Sequence, residues 1–257
     1  MLHLGCVTYN LISEWDLETI IRNLETAGFE AVELRTTHKH GVEPSLGPAE
    51  RDRVRKRFEQ SKVRLLSYGS TCEFHSADAA ERKKNVEIGK QFADLAYDTG
   101  ARGVKVRPNG FPKGVPHDVT IGRIGEGLRE LGDYAATKKI EIWMEVHGPE
   151  TQLPENAAAI MRAANHPNVG LCWNSNPTDV VNGSVRQNWE LLRRWVKNAH
   201  INELADTNYP WRELFTLMQQ SGYDRYTLCE VQASKQPERF LVWYKALWTE
   251  LTRSCTA

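Results

Sequence analysis

The segment at residues 140–173 reads IEIWMEVHGPETQLPENAAAIMRAANHPNVGLCW. It contains two short apolar runs, at residues 140–144 and 169–173, each of the length expected for a buried strand. Between them, residues 154–164 are rich in alanine and start with a proline, which is favourable at the first position of a helix. A strand, a helix and a second strand of these lengths are typical of a parallel β–α–β unit.

The same alternation of short apolar runs and longer helical segments continues through the whole chain. It predicts strands at residues 3–7, 30–34, 64–68, 103–106, 140–144, 169–173, 196–201 and 225–229. It predicts helices at residues 16–26, 48–61, 79–98, 121–137, 154–164, 187–194, 210–221 and 237–251. Strict alternation indicates an α/β fold, and a chain of 257 residues has the size of a single (β/α)8 TIM barrel.

A doubly wound sheet is the alternative α/β fold. That fold usually opens with a glycine-rich phosphate-binding turn, and neither GxGxxG nor GxxxxGK[ST] occurs in the sequence. Because no repeat, low-complexity tract or linker divides the chain, we predict one domain over residues 1–257.

The composition argues against several classes of protein. Lys+Arg and Asp+Glu both number 33, so the chain lacks the basic surplus of most nucleic-acid-binding proteins. No apolar run approaches the roughly 18 residues of a membrane helix, and the start of the sequence lacks the basic flank of a signal peptide. The cysteines are scattered without CxxC spacing, at positions 6, 72, 172, 229 and 255. We therefore expect a cytoplasmic protein with neither a nucleic-acid nor a membrane partner.

Four polar residues follow the apolar runs of the predicted strands in the second half of the chain. These residues are Glu145, Asn174, His200 and Glu230, each about one β–α unit after the previous one. Because active-site residues of such barrels lie at the C-terminal strand ends, these side chains are predicted to converge near the barrel axis. Two carboxylates, an imidazole and an amide oxygen suit a divalent metal such as Mn, Mg, Co or Zn. Taken singly, each residue has an alternative as an ordinary hydrogen-bonded or solvated side chain.

Other polar residues lie near the ends of neighbouring strands. His147 lies two residues after Glu145, so in an extended segment it points the same way and is a candidate catalytic residue. We also consider His75, after the third strand, as a substrate contact. Lys105 and Arg107 end the fourth strand and are candidates to bind an anionic or carbonyl-bearing substrate, or to balance charge inside the barrel.

Two further groups of residues have weaker signals. Trp173, and also Trp143, lies next to a proposed ligand and is a candidate to stack on a sugar face, with packing in the core as the alternative. The second strand ends in ELRTTHKHG, residues 33–41, and one of its two histidines is expected at the barrel mouth.

Four segments, MEVHG, LCWN, NAHINEL and LCEV, resemble the xylose isomerase-like TIM barrels, the superfamily of sugar phosphate isomerases and epimerases that also contains endonuclease IV. The resemblance follows the order of elements over nearly the whole chain. It implies one metal ion held at positions 145, 174, 200 and 230. In that family the second of these positions is an Asp within DxxH, whereas this sequence has Asn174 and Pro177 at the two polar positions of the motif.

The asparagine changes the charge of the predicted site. An aspartate would give a divalent ion three negative ligands, but with Asn174 only Glu145 and Glu230 are negative. An amide oxygen still coordinates hard cations, so we expect a metal ion that binds less tightly and acts as a stronger Lewis acid. The alternative is that Asn174 forms hydrogen bonds in a pocket without metal.

The resemblance implies a divalent-metal-dependent isomerase or epimerase, with Mn the expected ion. Its substrate would be a keto-sugar or related polyol that reacts through an enediolate, with Glu145 and Glu230 exchanging the proton. A lyase acting on a keto-sugar, a keto-inositol or an oxidised glycoside is the nearest alternative, and a metal-free sugar-binding barrel is the alternative that is not an enzyme. The altered DxxH argues against endonuclease IV-like DNA repair. Members of this family are often homo-oligomers, and the sequence leaves the oligomeric state open.

Overall fold

The computed structural model describes residues 2–253, and these form a closed barrel of eight parallel strands. The strands are β1 (His3–Val7), β2 (Ala31–Arg35), β3 (Arg64–Glu73), β4 (Gly103–Arg107), β5 (Glu141–Glu145), β6 (Val169–Trp173), β7 (Val196–Ile201) and β8 (Tyr226–Cys229). They pair in sequence order, and β8 closes onto β1. The predicted (β/α)8 TIM barrel is therefore confirmed.

A helix follows each strand and packs on the outside of the barrel. The helices are α1 (Leu17–Ala27), α2 (Pro48–Glu59), α3 (Ala79–Thr99), α4 (His117–Ala136), α5 (Pro154–Ala164), α6 (Arg186–Leu192), α7 (Trp211–Gln220) and α8 (Pro237–Thr252). Short 3-10 helices at Asn10–Ile12 and Pro177–Asp179 lie in the loops after β1 and β6. Within residues 2–253, no helix is both long enough and apolar enough to cross a membrane.

Local signals in the sequence explain where several helices begin and end. The side chain of Asp16 caps α1 by accepting a hydrogen bond from the backbone N–H of Thr19 at 2.8 Å. Gly28 ends the same helix with φ of 75°, a left-handed conformation that glycine adopts without strain. In α5, Pro154 occupies the first turn as predicted.

Apolar side chains pack in two layers because successive residues of a strand point to opposite faces of the sheet. A small cluster fills the barrel interior and consists of Val7, Ala31, Leu66, Trp143, Cys172 and Leu228. The larger cluster lies between the sheet and the helices. Gly103 is required beside the inner cluster, since a Cβ atom there would lie 2.7 Å from the indole of Trp143.

Two elements differ from their predicted bounds by more than two residues. The third strand extends to Glu73 instead of ending near residue 68, and its outer end pairs with Arg107 of β4. Helix α4 begins at His117, four residues before the predicted start at residue 121. The prediction missed its first turn because that turn is largely polar and shows no apolar periodicity. The cysteines at 6, 72, 172 and 229 are free and buried, while Cys255 lies outside the described residues.

Candidate metal and substrate site

Three side chains with metal-ligating atoms meet at the C-terminal end of the barrel. Glu145 is the last residue of β5, His200 lies near the end of β7, and Glu230 directly follows β8. One ligand atom from each lies within 4.8 Å of the others. The Nδ1 atom of His200 is 3.5 Å from Oε1 of Glu145 and 3.2 Å from Oε2 of Glu230. The strand-end spacing in the sequence therefore predicted a real convergence.

Asn174 adds a fourth candidate ligand, an amide oxygen, at the same cavity. Its side chain is buried, and its Nδ2 donates to Oδ1 of Asn176 at 3.3 Å. Its Oδ1 atom is also buried but accepts no hydrogen bond from the described residues. An unpaired buried carbonyl oxygen costs free energy, and coordination of a cation would remove that cost. The four residues at positions 145, 174, 200 and 230 thus fit a divalent ion in donor chemistry.

A buried carboxylate lies on the far side of the His200 ring. Glu33 of β2 is fully buried, and its Oε1 lies 3.2 Å from Nε2 of His200. Its Oε2 accepts hydrogen bonds from Oγ of Ser67 at 2.8 Å and from Nδ2 of Asn198 at 3.3 Å. Carboxylates placed in this way orient histidine ligands, because one ring nitrogen faces the carboxylate and the other faces the ion. The sequence placed Glu33 near a strand end but did not indicate this contact.

Lys105 forms an ion pair with one of the proposed ligands. Its side chain is 3% exposed, and its Nζ donates to Oε2 of Glu145 at 2.7 Å. Burial raises the pKa of Glu145, but the charges of Lys105 and His200 outweigh burial and hold that pKa well below its usual range. A carboxylate base works best when its pKa is raised toward neutrality, and the pKa of Glu145 is shifted the opposite way.

The imidazole of His200 is buried among carboxylates. Burial lowers the pKa of His200, but the negative charges of Glu230 and Glu33 favour the charged ring, and the pKa lies well above its usual range. A metal ion binds the neutral imidazole, so binding at Nδ1 displaces a proton. We therefore expect metal binding to release protons and to weaken in acid.

The cavity above these residues has a volume of about 190 Å³. It is lined by Tyr9, Arg35, Lys105, Arg107, Glu145, His147, Asn174, Asn202 and Glu230. Five of the predicted catalytic or substrate-binding residues thus line one cavity: Lys105, Arg107, Glu145, His147 and Glu230. Tyr9 and Asn202 were missed, although each follows a predicted strand closely enough to reach the mouth.

Two of the predicted substrate contacts do not line this cavity. Trp173 lies between the inward-facing Cys172 and Asn174, so its own side chain points outward to the helices. There it is 1% exposed, donates from Nε1 to Oη of Tyr209 at 3.0 Å and packs edge-on against Trp189. The stacking of Trp173 on a sugar is thereby corrected to core packing. His75 lies beyond β3, with Nδ1 3.9 Å from Oε2 of Glu73.

The loop that follows Asn174 contains a buried acid. Asp179 is 1% exposed and accepts hydrogen bonds from Oη of Tyr209 at 2.9 Å and the backbone N–H of Asn176 at 2.8 Å. Burial raises the pKa of Asp179 to about 7, because it disfavours the charged carboxylate more than these hydrogen bonds favour it. Since Asn176 in turn contacts Asn174, this network supports the amide at the site.

Comparison with known proteins places this geometry in a family. The sequence model of the family described as xylose isomerase-like TIM barrel matches residues 21–247. The chain belongs to that family. No curated protein sequence matches it.

Several solved structures share the fold over nearly their whole length. A D-psicose 3-epimerase from Clostridium cellulolyticum H10, solved with D-tagatose, has a TM-score of 0.83 at 13% identity, and the match covers 98% of this chain and 100% of that one. The IolI protein with a bound zinc atom has a TM-score of 0.81 at 15% identity and coverage of 97% and 98%. The probable 3-DHS dehydratase AsbF from Bacillus anthracis has a TM-score of 0.74 at 15% identity and coverage of 98% and 99%. At these identities the likeness establishes the fold alone.

Proposed function

We propose that this protein is a divalent-metal-dependent isomerase or epimerase that acts on a keto-sugar or a related polyol through an enediolate. The observation that carries the proposal is the convergence of Glu145, His200 and Glu230 on one polar cavity, with the unpaired Oδ1 of Asn174 in its wall. Sugar epimerases and a zinc-bound protein among the similar structures support the same class.

Glu145, Asn174, His200 and Glu230 would hold the metal ion, and Mn²⁺ is the ion to test first. When bound, a divalent ion polarises a carbonyl group and stabilises the negative charge that develops when the neighbouring carbon loses its proton. The asparagine leaves two negative ligands, so this polarisation is stronger than with an aspartate.

The two glutamates would handle the proton. Glu145 and Glu230 reach the cavity from β5 and from the end of β8, so they flank a bound substrate. Since Lys105 donates to Oε2 of Glu145 and lowers the proton affinity of that carboxylate, we assign proton removal to Glu230. Return of the proton from the side of Glu145 and Lys105 would give epimerisation or 1,2-isomerisation. His147, whose Nδ1 atom has no partner among the described residues, would bind a substrate hydroxyl.

A lyase is the second candidate function. Elimination needs an acid that protonates the leaving group beside the enediolate, and Lys105 and His147 both line the cavity next to the carboxylates. A dehydratase is among the similar structures. Both candidate reactions begin with the same proton removal. They differ only in the next step, which is return of the proton in an epimerase or isomerase and loss of a leaving group in a lyase.

The test incubates the Mn²⁺-loaded protein with a panel of ketoses in D2O and uses proton NMR to monitor the exchange of sugar hydrogens for deuterium. Loss of the signal of the hydrogen next to the carbonyl is expected with wild type. Glu230→Gln should slow this loss by about 10²–10⁴-fold, while Glu238→Gln, an exposed glutamate of α8, should not change it. A new sugar signal indicates an epimerase or isomerase, and a vinylic signal indicates a lyase. Sugar binding without exchange, and without bound metal, would support the non-enzymatic sugar-binding barrel instead.

A further inference from the structure

One half of the cavity is cationic. Lys105 and Arg107 of β4 and Arg35 of β2 line it, whereas the proposed metal ligands lie at or directly after the ends of β5 to β8. Lys105 and Arg107 are already balanced by carboxylates, since Nζ of Lys105 lies 2.7 Å from Glu145 and an NH2 nitrogen of Arg107 lies 2.6 Å from Oε1 of Glu73. The sequence left open whether these two residues bind substrate or balance charge inside the barrel, and the two ion pairs favour charge balance.

Arg35 is different, because no carboxylate of residues 2–253 forms an ion pair with it. Its guanidinium lies over the ring of Tyr9, 5.0 Å from the centroid, and its NH1 lies 3.4 Å from Nε2 of His38. Neither neighbour is negative. Burial and the charge of Arg35 lower the pKa of His38 to about 4, so this histidine is neutral at pH 7. A positive charge at the cavity wall therefore has no carboxylate partner in the described part of the chain.

The backbone holds Arg35 in place. Its N–H donates to Oγ1 of Thr8 at 2.9 Å, and its carbonyl oxygen accepts from Nε2 of His40 at 2.8 Å. The neighbouring position on β3 is Gly69, which pairs with Arg35 on one side and Lys105 on the other. A Cβ atom at Gly69 would lie 2.9 Å from Oε1 of Glu33, so the lack of a side chain at this position leaves room for that buried carboxylate beside Arg35.

The position of β2 defines which end of a substrate Arg35 can contact. In the closed barrel of eight strands, β2 lies directly opposite β6, which carries Asn174 at its end. A keto-sugar with its carbonyl at Glu145, Asn174, His200 and Glu230 therefore extends its other end toward Arg35. A guanidinium binds a carboxylate or phosphate through paired hydrogen bonds, and it gains most where it has no other partner.

We propose that the substrate of this site is an anionic keto-sugar, with a carboxylate or phosphate at the end remote from its carbonyl, and that Arg35 binds this anion. The inference rests on the proposed function for the placement of the carbonyl, but not for the anion contact itself. The neutral end of the substrate would occupy the metal-ligating half, and Arg35 would select the charged class over neutral ketoses.

The experiment compares binding of three sugars that share the same keto end: D-fructose, D-fructuronate and D-fructose 6-phosphate. Dissociation constants are measured by isothermal titration calorimetry on wild type, Arg35→Gln, Arg35→Lys and Arg64→Gln, each with and without Mn²⁺. Arg64 is the matched control, since it is an exposed arginine at the opposite end of the barrel, at the start of β3. Thermal unfolding of each variant establishes that it is folded.

At least one anionic sugar should bind wild type about ten- to a hundredfold more tightly than fructose, as expected for hydrogen bonds to a charged group. Arg35→Gln should abolish this preference by weakening the binding of the anionic sugar far more than that of fructose. Arg35→Lys should retain part of the preference, and Arg64→Gln should retain all of it. The anion that shows the preference identifies carboxylate or phosphate as the source.

Equal binding of all three sugars, no binding of either anion, or a preference that survives in Arg35→Gln would overturn the proposal. A different result would refute the proposed function alone. An anion preference that depends on Arg35, in a protein that shows no solvent exchange into any sugar, would refute the reaction and support the anion site.

Discussion

Replacement of Lys105 by methionine tests whether the cavity is a metal centre without any knowledge of the substrate. Lys105 is buried, and its Nζ lies 2.7 Å from Oε2 of Glu145. Removal of one partner of a buried ion pair destabilises a protein by about 3–5 kcal/mol, because the remaining charge is left uncompensated. In this chain the loss is expected at the upper end of that range, since Glu33 and Glu230 also act on Lys105.

The same change should strengthen metal binding. Lys105→Met removes a positive charge beside a proposed ligand and frees the second oxygen of Glu145. Each tenfold gain in affinity adds about 1.4 kcal/mol of stability at saturating Mn²⁺ relative to wild type. We expect a gain of about tenfold or more, so excess Mn²⁺ should narrow the stability difference between variant and wild type by at least about 1.4 kcal/mol.

The assay is urea unfolding at pH 7, with and without excess Mn²⁺, together with titration of Mn²⁺ by calorimetry. The matched control is Lys197→Met, because Lys197 pairs with Glu141 at 3.7 Å near the start of β5, away from the cavity. For Lys197→Met, the loss in free energy of unfolding relative to wild type should be the same with and without Mn²⁺. If the difference between Lys105→Met and wild type is also independent of Mn²⁺, the assignment of a metal ion to Glu145 is refuted.

Three further predictions follow from the same site. Asn174→Asp restores a third negative ligand and should lower the dissociation constant for Mn²⁺ by about tenfold or more, measured by calorimetry; an unchanged constant would contradict ligation at position 174. Glu33→Gln should weaken metal binding by about 10–100-fold and alter the visible spectrum of the Co²⁺-loaded protein. If the folded variant instead binds the metal normally, with an unchanged spectrum and only lower stability, Glu33 has a structural role alone. The pKa of Asp179 is raised to about 7 from an ordinary 3.8, so between these pH values the folded protein keeps a proton on Asp179 that the unfolded chain loses. Its contribution to stability is fully present below about pH 4 and is lost as pH rises through about 7, on the order of 4 kcal/mol in all. Asp179→Asn should remove this decline from urea unfolding measured between pH 4 and 8, and an unchanged slope would show that another group causes it.

The order and type of the elements could be predicted from the sequence because each helix and strand carries its own period of apolar residues. The four polar strand ends at 145, 174, 200 and 230 were also predictable, since the barrel brings every strand end to one rim. Strand parity could have corrected one residue. Trp173 stands between two inward-facing positions, so its side chain must point outward.

The sequence alone determined the barrel, the four polar strand ends that we propose as metal ligands, and Asn174 at the position where the family resemblance implies an aspartate. These depend on local periodicity and on spacing along the chain. Only the tertiary structure decided which charges neutralise one another: Lys105 pairs with Glu145, Glu33 lies against His200, and Arg35 has no carboxylate partner within residues 2–253. These pairings join different strands across the barrel interior. The length and burial of each side chain determine which charges meet, and no periodic pattern in the sequence encodes these contacts.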